Sequence, residues 1–556
     1  MTTTIQAQVS PATLSKVSRL FNASLTDCLN ELLQNARRAG ASRVAIMLSE
    51  DLELTIEDDG TGIADPQTLL TLGESNWSEA THHQEAPAGM GIFSLANRNV
   101  LIRSHNWQVH LTPAHFTGEV IARVEPCEMI SGTRISFTIG EKEAKFFDDK
   151  VGHLAKFYPV PLWLNGKEIS RQDFLSDALY IESWQGLRIG VRYTYQWKGG
   201  ATINFYGLVL EQMLPNLCCN GRKLFLHLDV VDCPQLKLVL PARKEVVQDE
   251  FWSNLTTEVQ RILYRYVATL PHHDLSYQHW QKAKSLGIEL LVARACLDEF
   301  TPAIADSYAL EKGQPVPITE RSLLVEIDAL AYSEQQVFWR AFQQAQLDYE
   351  PVAPNQDYGG YPWYDRLLRL SDVRFEVEQE GMVMGFEQWR EEQFLQGKAA
   401  PMPGSLNITV EQVWAIARVT DGALNDSEIR LPCEVLFVED PEEYWDKVEQ
   451  TPIVLSQSAH LAVDDLATLL EASYFSPSED SDCDSLYTQR EDFREMAYER
   501  AAKALLTEQA ALHARMAMAA ERHLRWMVPS NQKMEIRLMS RGVDEPIVSV
   551  EMGEIG

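Results

Sequence analysis

The stretch that decides the fold is Glu31–Gly40, which reads ELLQNARRAG. It closes a predicted helix over residues 12–40, because leucines recur at steps of three and four residues and Gly40 stands where a helix commonly ends. Glu31 and Asn35 are four residues apart and therefore share one helical face, beside the leucine stripe. A carboxylate and an amide on such a face would line a cleft against a sheet. The plainer alternative is a solvated helix face.

A second motif follows two predicted strands at residues 44–48 and 52–56. The sequence there continues as DDGTGI from Asp58 to Ile63. Gly60 and Gly62 would let a ligand approach the backbone closely, and an acidic side chain at a strand end can accept a hydrogen bond from an amine. A tight turn that binds nothing is the alternative interpretation.

Two further glycine motifs lie downstream. Residues 88–94 read AGMGIFS and precede a predicted helix over 92–99, where free backbone N–H groups would favour a phosphate. No Gly-Lys-Ser/Thr follows, so this is not a Walker A loop, and its place in the chain is not that of a Rossmann turn. The fourth motif is SGTRI at 131–135. Further strands are predicted near 101–111, 119–125 and 133–139, completing a two-layer α/β sandwich.

The order and spacing of the four motifs resemble the GHKL ATPase superfamily, which includes gyrase B, the ninety-kilodalton heat-shock chaperones, histidine kinases, MutL proteins and MORC-type ATPases. The resemblance spans residues 15–140. In it, Glu31–Ala36 looks like the N-box, Asp58–Gly62 like the Asp-x-Gly-x-Gly box, Gly89–Ser94 like the second glycine box and Gly132-Thr133 like the last motif. One departure is Arg38, since many non-kinase members carry an acidic residue there.

The resemblance implies a Bergerat-type α/β sandwich that binds ATP and Mg²⁺. It implies that Glu31 is the general base, that Asn35 coordinates the Mg²⁺ bridging the phosphates, and that Asp58 holds the adenine amine. Thr133 would support adenine through Asp58 and water. The other cofactor-binding positions that it assigns are Gly60, Gly62, Ile63, Gly89, Met90, Gly91 and Ile92, of which 89–91 would wrap the phosphates. Residues 64–88 fall where the superfamily keeps its ATP lid.

Residues 141–290 are predicted to form a second α/β domain. CNGR at 219–222 and LPARKEV at 240–246 resemble the transducer domain of MutL-type proteins, in which a lysine reaches the γ-phosphate. Arg243 stands at that lysine and Lys244 follows it, so the resemblance assigns both to catalysis. Arginine could serve there because it binds phosphate through two nitrogens. A common surface turn with two cations is the alternative.

The C-terminal half is strongly acidic. Residues 291–556 hold 22 Lys and Arg against 48 Asp and Glu, within a chain of net charge −31. Such a surface repels phosphate backbones, which disfavours DNA binding by this half. Residues 490–527 contain neither Gly nor Pro and predict one long helix, whose apolar stripe would pack on its own domain or dock a partner. The predicted domains are 1–140 (ATP-binding), 141–290 (transducer-like), 291–400 (mixed α+β, acidic) and 401–556 (acidic, with the long helix).

Composition places the chain among globular proteins, with 45% apolar and 23% charged residues. No run is long and apolar enough for a membrane helix, and the N-terminus lacks the pattern of a signal peptide. Eight cysteines in 556 residues are too sparse for a disulfide scaffold, and no zinc-type spacing occurs. We therefore expect a soluble, cytoplasmic protein that does not contact membranes.

Together these features favour an enzyme that hydrolyses ATP to ADP and phosphate, and whose ATP-driven N-terminal closure controls a conformational clamp acting on a protein partner. A nucleotide-dependent homodimer is expected, and nucleic acid could bind only through residues 1–290. A heat-shock-type chaperone and a catalytically weak ATP-binding scaffold are the alternatives. Glu31 argues against the scaffold, and the sequence leaves the biological process and the partner open.

Overall fold

The computed structural model describes residues 24–71, 77, 91–194, 200–239, 245–306, 313–395, 407–421, 426–438, 448, 451–478, 485–530, 532–539 and 547–554. The chain forms two compact units, Met1–Ala293 and Arg294–Gly556. Both units combine helices with β-sheets, which confirms the predicted α/β class. The finer division into four domains stays a prediction.

Both units contain α-helices. The α-helices are α1 (Leu25–Arg38), α2 (Pro113–Phe116), α3 (Glu141–Ala144), α4 (Phe147–Ala155), α5 (Glu250–Ala268), α6 (Tyr277–Ser285), α7 (Tyr332–Gln344), α8 (Pro362–Asp365), α9 (Phe386–Arg390), α10 (Val463–Tyr474), α11 (Leu486–Leu505) and α12 (Glu508–His523). Short 3₁₀ turns lie at Pro66–Leu69, Gly91–Leu95, Gln356–Tyr358 and Arg525–Met527, and a π-helical turn at Glu391–Leu395.

The strands of the first unit are β1 (Val44–Leu48), β2 (Glu53–Asp58), β3 (Val100–Leu111), β4 (Val124–Thr138), β5 (Leu162–Leu164), β6 (Lys167–Glu168), β7 (Tyr180–Trp184), β8 (Leu187–Thr194), β9 (Ala201–Phe205), β10 (Leu208–Gln212), β11 (Leu217–Cys219) and β12 (Arg222–Val230). Those of the second unit are β13 (Cys296–Asp298), β14 (Pro315–Pro317), β15 (Ser322–Val325), β16 (Glu350–Val352), β17 (Leu368–Gln379), β18 (Met382–Gly385), β19 (Asn407–Val410), β20 (Gln412–Thr420), β21 (Asp426–Cys433), β22 (Val435–Phe437), β23 (Ile453–Ser456), β24 (Gln532–Met539) and β25 (Ile547–Glu554).

The first sheet has the strand order β3-β4-β2-β1-β5-β6. Strand β1 pairs antiparallel with β2 and parallel with β5, so the sheet includes residues beyond the predicted ATP-binding segment. Helix α1 covers it through the buried side chains of Leu29, Leu32 and Leu33. The leucine stripe therefore performs the packing role that the sequence predicts.

Helix α1 is shorter than the predicted helix. Ser24 has extended backbone angles and its hydroxyl accepts the N–H of Asp27 at 3.2 Å, so the helix begins at Leu25. Residues 12–23 lie outside the described part of the chain. At the other end Ala39 is the C-cap and Gly40 has φ +69°, which agrees with the predicted stop.

Two other elements differ from the prediction. The helix expected over 92–99 is a 3₁₀ turn, Gly91–Leu95, because the N–H groups of Ala96 and Arg98 donate to carbonyls three residues earlier rather than four. The strands expected at 119–125 and 133–139 are one strand, β4. It pairs with β3 along almost its whole length, with shifts of register around His105.

The second sheet has the order β10-β9-β12-β8-β7, with β11 paired to β12. Helix α5 covers one face of this sheet and buries Leu255, Val259 and Ile262 in the shared core. Beyond β12, Leu238 and Val246 form an isolated antiparallel bridge.

The second unit contains a sheet of order β16-β15-β17-β20-β21, with β18 at its side, and a smaller sheet β19-β23-β22. The long helix predicted over 490–527 is two helices, α11 and α12. Leu506 is extended and the hydroxyl of Thr507 accepts the N–H of Ala510, so a new helix starts at that point. No helix within the described residues is long and apolar enough to cross a membrane.

Candidate nucleotide-binding site

The turn after β2, residues 58–63, is called here the Asp58 turn. Asp58 stands opposite Thr133 in the antiparallel pairing of β2 with β4. Its Oδ1 accepts the N–H of Gly60 at 2.9 Å, which fixes the carboxylate at the end of the strand. Burial raises the pKa of Asp58, and hydrogen bonds from the Gly60 and Thr133 amides offset part of that rise. The carboxylate is thus desolvated and held in place, as a ligand-facing acceptor needs to be.

The neighbouring carboxylate of Asp59 has a different role. It accepts the backbone N–H groups of Ser42 at 2.7 Å and Arg43 at 3.0 Å. Burial would raise the pKa of Asp59, but the hydrogen bonds from Ser42 and Arg43 outweigh it and lower the pKa. Asp59 therefore holds the loop between α1 and β1, whereas Asp58 remains the candidate for a ligand.

The far end of the Asp58 turn is attached to β3. The Ile63 N–H donates to Ser104 Oγ at 2.8 Å, and Trp107 Nε1 donates to the Ile63 carbonyl at 3.1 Å. Gly62 has φ +74°, and a Cβ there would lie 2.7 Å from Ser104 Oγ. Only glycine fits this close approach.

The Gly132-Thr133 motif packs directly on Asp58. Gly132 has φ +69°, and a Cβ there would lie 2.0 Å from the carbonyl oxygen of Asp58. Its own carbonyl accepts the Ser104 hydroxyl at 2.8 Å. Two motifs that are more than seventy residues apart in sequence thus form one rim on the paired strands β2 and β4.

The face of α1 that carries Glu31 and Asn35 is called here the helix face. Both side chains are partly buried. Gly91 lies against them, because a Cβ on Gly91 would be 2.7 Å from Glu31 Oε2 and 3.4 Å from Asn35 Nδ2. The first and third sequence motifs therefore meet, and a residue larger than glycine would displace the carboxylate.

Ala39 joins the helix face to the Asp58 turn. Its carbonyl accepts the N–H of Thr61 at 2.9 Å, and a Cβ on Gly60 would lie 2.7 Å from the Ala39 Cβ. The end of α1 and the Asp58 turn are therefore in direct contact, so the first and second motifs are neighbours in the fold.

Arg38 lies on the same side of α1 as Asn35. Its Nη1 donates to Asn35 Oδ1 at 3.3 Å. That amide oxygen is a hard ligand of the kind that Mg²⁺ prefers, and Mg²⁺ commonly takes one or two protein oxygens together with phosphates and water. Asn35 thus fits a metal-holding role chemically, with Arg38 as a competing donor for the same oxygen.

Several predicted site residues cannot be placed. Gly89, Met90, Arg243 and Lys244 lie outside the described residues, as do most of the segment expected to be a lid. Ile92 is described, and it is partly buried against the first core.

Sequence reasoning missed Ser104 and Trp107, which hold the Asp58 turn. Ser104 is fully buried and follows Val100 and Ile102 at core-facing positions of β3. A hydroxyl at the third core-facing position of β3 predicts that it bonds to a nearby polar group, since a buried polar group needs a partner. Trp107 carries no comparable signal because aromatic residues are common in strands.

Residues 22–143 match the family described as histidine kinase-, DNA gyrase B-, and HSP90-like ATPase. This segment is a GHKL ATPase domain. Such a domain implies ATP binding, and the four motifs lie within it.

Solved structures give weaker likenesses. The ATPase region of Saccharomyces cerevisiae topoisomerase II is 8% identical with a TM-score of 0.31, covering 40% of this chain and 76% of that one. The ATP-binding domain of Francisella tularensis topoisomerase IV is 11% identical with a TM-score of 0.30, covering 47% and 90%. The Aquifex aeolicus MutL ATPase domain complexed with ADP is 14% identical with a TM-score of 0.21, covering 37% and 92%. No curated protein matches the chain.

Proposed function

We propose that the chain hydrolyses ATP to ADP and phosphate at the site formed by the helix face and the Asp58 turn. The observation that carries this proposal is the junction of the motifs. Glu31 and Asn35 meet Gly91 on one side, and Ala39 joins their helix to the Asp58 turn on the other. A carboxylate, an amide oxygen and a desolvated acceptor then lie around one bound nucleotide.

Each group has a distinct task in this reaction. Asp58 accepts a hydrogen bond from the exocyclic amine of adenine, which selects the base. Glu31 takes a proton from water while the water oxygen attacks the γ-phosphorus and the bond to the ADP oxygen breaks. Phosphoryl transfer depends mainly on positioning and charge neutralisation, so one aligned general base is sufficient and no covalent intermediate is needed.

Asn35 would hold the metal ion through Oδ1. Mg²⁺ supplies neutralisation of the phosphate charge when it is bound. Asn35 Oδ1 has two lone pairs, so it would hold the metal ion either together with or in place of its hydrogen bond from Arg38. Arg243 and Lys244 are proposed to add positive charge at the γ-phosphate from the second domain.

The test is steady-state hydrolysis of Mg-ATP by the full chain. Glu31→Ala should bind ATP with unchanged affinity and hydrolyse it at least ~100-fold more slowly, which is the size expected for losing a general base. Glu50→Ala is the matched control, because Glu50 is exposed on the turn between β1 and β2. Normal hydrolysis by Glu31→Ala would contradict the assignment of Glu31 as the general base. ATP binding without any turnover in the wild-type chain would favour the scaffold alternative.

We further propose that ATP closes a homodimeric clamp on a protein partner. The surface of the second unit supports a protein partner, since α11 buries Phe493, Ala497 and Ala501 while α12 leaves Leu512 and Met516 exposed. Methionine suits adaptable contact surfaces.

Two measurements test the clamp. Light scattering should report a larger mass with a non-hydrolysable ATP analogue than without it, and one monomeric mass in both conditions would contradict the dimer. Glu31→Ala should trap a partner in an affinity pull-down. Adding Leu512→Glu and Met516→Glu to that variant should release the trapped protein.

A further inference from the structure

Helix α1 is held from outside its own sheet. Gln34 lies between Glu31 and Asn35 in sequence, is buried at 5% exposure, and donates from Nε2 to the Tyr206 carbonyl at 2.9 Å. Tyr206 is in the turn between β9 and β10 of the second sheet, and this turn, Tyr206-Gly207, is called here the Tyr206 turn. The second sheet therefore contacts α1 beside the residues that carry the proposed chemistry.

Arg37 holds the Gln34 side-chain amide from its other end. The Arg37 guanidinium lies 4.0 Å from the centre of the Tyr206 ring. Arg37 also donates to Gln34 Oε1, from Nε at 3.4 Å and from Nη2 at 3.3 Å. The Gln34 amide thus bonds through both of its ends, so its orientation is fixed by the Tyr206 turn and by Arg37 together.

Tyr158 provides a third attachment. Its buried hydroxyl donates to the Leu33 carbonyl at 2.6 Å. Gly207 has φ +97° and packs on Tyr158, since a Cβ on Gly207 would lie 2.9 Å from the Tyr158 Cα. Asn204 Oδ1 accepts the Gly207 N–H at 2.8 Å and fixes the turn from its own side.

These contacts fall on consecutive residues of α1, Leu33 and Gln34, with Arg37 one turn later. Asn35 is the next residue and Glu31 is about one turn earlier, so the contacts lie within one helical turn of both. We propose that the Tyr206 turn is a positioning clasp, through which the second sheet sets the placement of Glu31 and Asn35 and thereby the rate of turnover. This inference rests on the proposed ATPase function.

The clasp predicts a separation of rate from affinity. Tyr206→Asn keeps a residue that tolerates positive φ, which Tyr206 has at +53°, and removes the ring beneath Arg37. It should lower kcat about 10- to 100-fold, as expected when a catalytic group is misplaced by about 1 Å. Affinity for ADP without Mg²⁺ should not change, because the Asp58 turn is untouched and Asn35 is proposed to act only through the metal ion.

Three variants make the test specific. Tyr206→Phe retains the ring and should restore wild-type kcat. Gln34→Met removes the hydrogen bonds at both ends of the Gln34 side-chain amide and should lower kcat as much as Tyr206→Asn does. The variant that carries both substitutions should show no further loss of kcat, because the two residues act as one unit. The control is Tyr193→Asn, which removes a similar pair with Arg222 at 4.6 Å elsewhere on the second sheet. A purely structural role would lower the melting temperature of both Asn variants and kcat of neither.

Amide hydrogen exchange of α1 separates this inference from the ATPase proposal. Without nucleotide, the amides of residues 33–38 should exchange faster in Tyr206→Asn than in the wild-type chain. Equal exchange would overturn the clasp, whether or not the chain hydrolyses ATP. Wild-type kcat in Tyr206→Asn, in a chain whose turnover depends on Glu31, would overturn the clasp and leave the ATPase proposal standing.

Discussion

The Asp58 turn and the helix face are held in different ways. The Asp58 turn is held mainly by its own sheet, where Ser104 Oγ accepts the Ile63 N–H and the Trp107 indole N–H donates to the Ile63 carbonyl. One further bond, from the Thr61 N–H to the Ala39 carbonyl, ties it to the end of α1. The helix face depends on α1, whose last turns are gripped by Tyr158 and by the Tyr206 turn of the second sheet. A nucleotide base would therefore bind to a rigid frame, whereas turnover would depend on an element that two sheets share.

The largest effect on nucleotide binding should come from a substitution that disturbs the contact between Gly132 and Asp58. Gly132→Ala places a Cβ 2.0 Å from the Asp58 carbonyl oxygen at a φ of +69°. We expect nucleotide binding to be lost, with about 3 kcal/mol less stability from strain and overpacking. Calorimetric titration and urea unfolding measure the two effects.

Gly152→Ala is the matched control for that substitution. Gly152 lies in α4 with open space around its Cβ position, so Ala should fit and should favour the helix. Equal nucleotide affinity in both glycine variants would mean that the rim formed by Gly132 and Asp58 is not part of the site.

The second largest effect should come from the cations assigned to the second domain. Arg243→Ala combined with Lys244→Ala should slow hydrolysis about 100-fold, the size seen when one stabilising group at the reacting centre is removed. Binding of ADP should be unchanged, because ADP lacks the γ-phosphate. Weaker ADP binding in this variant would place the two cations elsewhere in the nucleotide site.

A smaller effect on affinity distinguishes the two adjacent carboxylates. Asp58→Asn should weaken ATP binding about 10- to 100-fold, because a charged acceptor contributes about 1.5–3 kcal/mol to a hydrogen bond. Asp59→Asn should leave affinity unchanged and cost about 1 kcal/mol of stability through weaker bonds to Ser42 and Arg43. Weaker ATP binding by Asp59→Asn, with unchanged binding by Asp58→Asn, would show that Asp59 rather than Asp58 contacts the nucleotide.

The smallest effect is on stability as a function of pH. Because burial raises the pKa of Asp58 in the folded protein, its stabilising contribution is complete below the pKa of the unfolded chain and is lost as pH rises through the folded pKa. Asp58→Asn should therefore be at least as stable as the wild-type chain at neutral pH, and this advantage should vanish in acid. A lower melting temperature at neutral pH would show that the charge itself stabilises the rim.

The helix face illustrates what local pattern can predict. The leucine spacing of residues 25–33 places Glu31 and Asn35 on one partly buried face, because side chains four apart on a helix coincide. Alternation in β1 and β2 likewise predicts the strands that end at Asp58. The helix and the strands are predictable because the spacing of their apolar residues repeats every few residues, and a single sequence shows that spacing.

Contacts between distant residues are different. Ser104 bonding to Ile63 and the merging of two expected strands into β4 follow from pairing and packing that no local period encodes.

The sequence by itself determined the four motifs and their order, and the resemblance of that order to the GHKL ATPases implied ATP chemistry. Only the tertiary structure decided that Gly91 lies on Glu31, that Gly132 lies on Asp58, and that Tyr206 grips α1. The reason is physical: each of these contacts joins residues far apart in sequence, and the free energy that selects them comes from burying surface and pairing polar groups in the folded core.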